Sequence, residues 1–131
     1  MPYREHILDH YLHPRNRGTL ENADLVGQLD NPTCGDTVRF AVRLDGERVQ
    51  EARFEGRGCV LSLAAASMLT QEIIGKSVAE IKVMGQSDVF RMLGLELGPV
   101  RAKCGLLALR ALQQGLAEWE ARQASSQHVC R

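Results

Sequence analysis

From Val38 to Leu44 the chain alternates, with Val38, Phe40, Val42 and Leu44 on one side and Arg39, Ala41 and Arg43 on the other. That is the period of a strand with one buried face. Asp45-Gly46 follows, a dipeptide favoured in two-residue type I′ turns, and Arg48 to Phe54 reads as the returning strand. A third strand is expected within Ala23 to Leu29, which leaves Cys34 and Asp36 on the loop entering the hairpin.

Elsewhere the period changes to that of helices. Tyr3, Ile7, Leu8 and Tyr11 are three and four residues apart, one apolar stripe on a helix that Pro14 should end. After Cys59 the run Val60 to Leu69, continued by Ile73 and Ile74, predicts a largely buried helix stopped by Gly75-Lys76. Ser77-Val78-Ala79-Glu80 has the spacing of a capping box and opens a short helix toward Val83, and Ser87 or Asp88 is placed to cap another through Leu93. Gly94 to Gly98 reads as a loop. Pro99 suits the first turn of a last helix, on which Cys104, Leu107, Ala108, Ala111, Leu112, Leu116 and Trp119 share one face toward the sheet. The expectation is an α+β fold, a three-stranded antiparallel sheet packed against helices, forming one domain over residues 1–123 with a flexible polar end at 124–131.

Composition narrows the function. The length of 131 residues suffices for a core that needs no disulfide or metal as a staple. Sixteen basic residues balance sixteen acidic ones and neither sign forms a block, which argues against capture of nucleic acid or of an anionic membrane. No stretch has the length of a signal or membrane span, so a cytoplasmic location is expected. In a reducing compartment four cysteines point to metal binding or catalysis rather than disulfides.

Three of those cysteines stand in distinctive surroundings. Cys34 lies in Asn31-Pro32-Thr33-Cys34-Gly35-Asp36, Cys59 follows Gly56-Arg57-Gly58 at a helix start, and Cys104 lies in the first turns of the last helix. Cys34 and Asp36, two apart in extended chain, leave the backbone on the same side. Helix N-termini favour thiolates at Cys59 and Cys104, which the reading places at the surface. Three thiolates and a carboxylate match a tetrahedral zinc site, and equally the protein side of an iron-sulfur cluster. A hard oxygen among sulfurs suits a cluster that is released rather than stored.

Four blocks in order, Asp9-His10-Tyr11-Leu12-His13-Pro14-Arg15-Asn16, Asn31-Pro32-Thr33-Cys34-Gly35-Asp36, Phe54-Glu55-Gly56-Arg57-Gly58-Cys59 and Lys103-Cys104, resemble those of the IscU/SufU/NifU-type iron-sulfur cluster assembly scaffold proteins. The likeness runs from Tyr3 to about Leu116. It implies a scaffold that receives sulfur from a cysteine desulfurase, takes up iron, assembles a labile [2Fe-2S] cluster and transfers it to apo-proteins, a carrier without turnover of its own. Carried over by position, the ligands are Cys34, Asp36, Cys59 and Cys104, with Cys104 as persulfide acceptor.

The resemblance has two branches. Lys103 stands where the IscU branch has histidine, as in the SufU branch, and its charge could hold a neighbouring thiolate. The short interval between Cys59 and Cys104 is like the IscU branch. A SufU-like member would be a zinc-dependent sulfurtransferase relaying persulfide sulfur with the same four ligands. An Hsp70-type chaperone is a further partner the likeness raises, at Leu97-Gly98-Pro99-Val100-Arg101 in place of Leu-Pro-Pro-Val-Lys.

Other features carry less. His6 and His10 have the i, i+4 spacing of a zinc pair, but a solvated or capping face is the plainer account. Gly56-Arg57-Gly58 lacks the third glycine of a dinucleotide fingerprint, and its glycines read as room for Cys59. Arg15, Arg17 and Arg57 could meet an acidic partner. Cys130 has no motif around it.

Overall fold

The protein, in a computed structural model, is described over residues 5–31 and 35–129, with side chains described to residue 124. Its elements run α1 (Glu5–Leu12), β1 (Leu25–Asn31), β2 (Asp36–Asp45), β3 (Arg48–Arg57), α2 (Val60–Ile73), α3 (Val78–Lys82), α4 (Gln86–Leu93) and α5 (Pro99–Val129). The strands form one antiparallel sheet in the order β1-β2-β3, as the alternation requires.

Val38, Phe40 and Val42 of β2 are wholly buried, as are Ala52 and Phe54 of β3, and the Phe40 and Phe54 rings stand paired across the two strands with centroids 6.3 Å apart. The hairpin turn differs by one residue from the expected Asp45-Gly46. Asp45 pairs with Arg48, so Gly46-Glu47 is the loop. Only Gly46 of the two has a positive φ, 65°, whereas type I′ needs two. A register break between Arg43 and Leu44 absorbs the shift as a β-bulge.

The outer edge of β3 is covered at both ends. Phe54 exchanges backbone hydrogen bonds with the segment after α1, receiving Gly18 N–H (2.8 Å) and donating to Asn16 (3.0 Å), while Val49 does the same with Gly75 and Lys76. An open edge that would invite another chain is thereby closed.

One face of the sheet carries the helices. α5 lies across β1 and β2, α2 against β3 and α5, and α1 on α2. α2 is buried from Leu61 through Thr70, so it has no polar side. α3 begins with the expected capping box, Ser77 and Glu80 exchanging side-chain and backbone hydrogen bonds. α4 starts earlier than expected: Gly85 is its N-cap and Asp88 accepts from the Gly85 N–H at 2.8 Å. Leu107, Ala108, Ala111, Leu112 and Leu116 are buried as expected, but so are Ala102, Cys104, Leu106 and Leu109, because α5 is central, with the sheet, α2, α3 and α4 all packed on it. It continues as helix to Val129. None of the described helices is long and apolar enough to cross a membrane.

β1 and α5 meet through two glycines. A Cβ on Gly27 would lie 1.9 Å from the Ala111 carbonyl oxygen, and one on Gly115 would lie 2.7 Å from the Gly27 nitrogen. Backbone touches backbone there, which only glycine permits.

α1 is fastened to α2 by a polar network around Ser67, which is wholly buried. The Ser67 hydroxyl oxygen accepts the Arg15 backbone N–H at 2.8 Å and stands 2.7 Å from His10 Nδ1. Asn16 donates to Thr70, whose hydroxyl donates to the Ser67 carbonyl. Arg15 is thus part of this network, its guanidinium also on Asp9, rather than a bare surface cation. His6 faces the Met92 carbonyl at 3.3 Å, so neither histidine of the i, i+4 pair is idle.

Burial foremost, then the Arg15 and His6 charges, lower the His10 pKa from 6.5, with Asp9 opposing. The unfolded chain therefore takes this proton first, and the stability His10 contributes is present above 6.5 and lost as the pH falls through the folded value. Urea unfolding between about pH 7.5 and about pH 5.5 is expected to show stability declining toward acid, and His10→Asn is expected to flatten that slope. An unchanged slope in the variant would show that another group governs it.

Candidate metal centre

Asp36 opens β2 and is 1% exposed. A buried carboxylate needs donors, and three converge on it. Its Oδ1 accepts the Cys59 backbone N–H at 3.1 Å; its Oδ2 receives the Ser62 hydroxyl at 2.5 Å and stands 3.4 Å from Cys59 Sγ. Cys59 is the N-cap of α2, extended at φ −76° and ψ 169°, and its own side chain caps nothing. Asp36 thus places a carboxylate at the helix N-terminus from outside, where the helix dipole favours it.

Gly58 makes this approach possible. Its φ is 153°, and a Cβ there would stand 2.4 Å from Asp36 Oδ1. The room that the glycines provide is therefore for the carboxylate behind Cys59 as much as for Cys59 itself.

Cys104 comes from α5, and its carbonyl oxygen lies 3.2 Å from the Ser62 hydroxyl. Asp36, Cys59 and Cys104 each offer a donor atom, all within 4.8 Å of one another. Tetrahedral zinc with bonds of ~2.3 Å to sulfur and ~2.0 Å to oxygen sets donor separations of roughly 3.5 to 3.8 Å. The Cys59–Asp36 distance of 3.4 Å already fits, and the widest spacing closes with side-chain adjustments of about 1 Å. Two sulfurs and one oxygen suit zinc or cluster iron.

Of the four sequence-predicted ligands, Asp36, Cys59 and Cys104 are brought together. Cys34 lies outside the described residues, between the described Asn31 and Gly35, as does Cys130. Cys59 is half-buried. Cys104 is 6% exposed, not at the surface as the helix-start argument expected, because it lies with Ala102 on the covered side of α5, whose first residues Pro99–Arg101 and Lys103 are exposed. Lys103 is exposed and lines a small open cavity with Leu29, Asp30, Asn31, Leu107 and Arg110, beside the end of β1 from which the chain runs toward Cys34.

Sequence reasoning missed Ser62. It is wholly buried, touching Asp36, Cys59 Sγ (3.4 Å) and the Cys104 carbonyl. The available signal was a hydroxyl three residues into a helix with apolar neighbours on both sides, since a buried polar group requires a partner.

The chain is similar to known proteins over most of its length. The family model for the NifU-like N terminal domain matches residues 2–126. The zinc-dependent sulfurtransferase SufU of Bacillus subtilis (strain 168) is 39% identical over 135 residues, covering 90% of this chain and 91% of that protein. The iron-sulfur cluster assembly scaffold protein IscU of Aquifex aeolicus (strain VF5) is 37% identical over 123 residues, covering 92% and 78%. Among solved structures, FiSufU of Fervidobacterium islandicum AW-1 superposes with a TM-score of 0.72 at 30% identity, covering 87% of this chain and 96% of that one.

Proposed function

The chain belongs to the NifU-like N-terminal domain family, and on that premise we propose that it is an iron-sulfur cluster assembly scaffold. It accepts sulfur from a cysteine desulfurase, assembles a [2Fe-2S] cluster as cargo on Cys34, Asp36, Cys59 and Cys104, and passes it to apo-proteins. What supports this reading is the meeting of Asp36, Cys59 and Cys104 donor atoms within 4.8 Å, drawn from the start of β2, the N-terminus of α2 and the first turns of α5.

In the sulfur step the Cys104 thiolate attacks the outer sulfur of a donor persulfide. A new S–S bond forms at Cys104, the donor's S–S bond breaks, and the donor leaves as a thiolate, with no net change of oxidation state. Cys59 and Asp36 then offer donors beside the persulfide for the incoming iron.

The second reading, a zinc-dependent sulfurtransferase, is favoured by the 39% identity to the Bacillus subtilis protein and by Lys103 in the place of the IscU-branch histidine. Bound zinc would supply a Lewis-acid centre that holds thiolates deprotonated, and Asp36, Cys59 and Cys104 would hold it with Cys34. Anaerobic reconstitution with iron and sulfide, followed by transfer to an apo-ferredoxin, decides between the two. A transferable cluster supports the scaffold; its absence, together with zinc-dependent stimulation of a desulfurase, supports the transferase.

The carboxylate should set how readily the cargo leaves. Sulfur is the better partner for cluster iron and oxygen the weaker, so Asp36→Ala is expected to slow cluster release several-fold while impairing cluster binding less. Faster loss of the visible absorption in that variant would contradict the role given to the oxygen.

A further inference from the structure

We propose that Ser62 is a positioning residue for the metal centre, acting through Asp36. The inference rests on the ligand set proposed above and concerns a side chain that is itself no ligand.

Ser62 occupies the third position of α2 and is 0% exposed. Its oxygen lies 2.5 Å from Asp36 Oδ2, 3.2 Å from the Cys104 carbonyl and 3.4 Å from Cys59 Sγ. It therefore touches residues from all three elements that bring ligands together. A hydroxyl has one hydrogen, and the charged carboxylate is the stronger acceptor, so the hydrogen goes to Asp36. Cys59 N–H holds the other oxygen. Held at both oxygens, the carboxylate is kept in the orientation that leaves Oδ2 3.4 Å from Cys59 Sγ. Carboxylates that bind metals are commonly oriented by such outer hydrogen bonds, and losing one typically costs 10- to 100-fold in metal affinity.

The test is zinc binding to the whole chain, zinc being the probe, measured by competition with a chromophoric chelator for the unmodified protein, Asp36→Ala, Ser62→Ala and the double variant. Ser62→Ala is expected to weaken zinc binding at least tenfold, and the double variant to bind no more weakly than Asp36→Ala, because Ser62 has nothing left to orient. Losses that add in the double variant would make Ser62 merely structural and overturn the proposal. So would an unaltered affinity in Ser62→Ala while Asp36→Ala is weakened. If instead Asp36→Ala binds zinc normally, the ligand assignment itself fails, a different outcome. Ser62→Thr keeps the hydroxyl and serves if the alanine variant does not fold: affinity within about threefold of the unmodified protein supports the proposal, and a tenfold loss overturns it.

Discussion

Replacing Cys104 with serine is expected to abolish acceptance of sulfur from a cysteine desulfurase and to weaken zinc binding by more than the 10- to 100-fold typical of an outer-shell loss. The hydroxyl is nearly isosteric, so the buried position on α5 stays filled and the fold is retained. What disappears is the thiolate, which is both the nucleophile toward a persulfide and the softer donor. Mass spectrometry after incubation with a desulfurase and cysteine reads the first effect as loss of the 32 Da adduct (the mass of one sulfur atom, ~32 Da), and chelator competition reads the second. A full adduct on the serine variant would move the acceptor role to Cys34 or Cys59. Since Cys104 is 6% exposed, its thiolate has to become more accessible when the donor docks, and sulfur acceptance is expected to be slow with small persulfides in place of the desulfurase.

Gly27→Val is expected to be the most destabilising single change in the sheet. Even the first carbon of a side chain would stand 1.9 Å from the Ala111 carbonyl oxygen and 2.8 Å from the Gly115 nitrogen. These are backbone atoms that no rotamer change can move aside. Overpacking a close-packed interior costs about 1–3 kcal/mol and more where the backbone must shift, so a loss of roughly 3 kcal/mol or more is expected in urea unfolding. Gly98→Ala serves as the control, because a Cβ there meets nothing within 4 Å, and its cost should stay under about 1 kcal/mol. Equal effects of the two substitutions would mean that β1 and α5 do not approach so closely in solution.

What the chain disclosed in advance, and what it withheld, follows from the range of the interactions. The hairpin strands, the capping box at Ser77 and the glycine-flanked Cys59 were legible because alternation, cap chemistry and turn residues act within a few positions. The turn itself was misplaced by one residue, since the bulge between Arg43 and Leu44 leaves no local mark. Ser62 was missed because α2 is buried on every side; its hydroxyl among apolar neighbours signals a need for a partner, but no local pattern says that the partner is Asp36. The same holds for the depth of Cys104, as α5 is enclosed from several directions. The contact of Gly27 with Gly115 joins residues far apart in the chain, and no short pattern encodes it. Asp36 and Cys104 could be nominated as ligands from their surroundings, but their meeting depends on how β2 and α5 are stacked.

The glycine contact between β1 and α5 also fixes how closely the last helix sits on the sheet. Cys104 lies eleven residues before Gly115 on the same helix, an arm of roughly 16 Å at 1.5 Å per residue. A rocking of about 5° around that point would swing Cys104 by roughly 1.4 Å, enough to part it from an ion shared with Cys59. Loosening that contact is therefore expected to shift Cys104 relative to Cys59 without altering any of the proposed ligands.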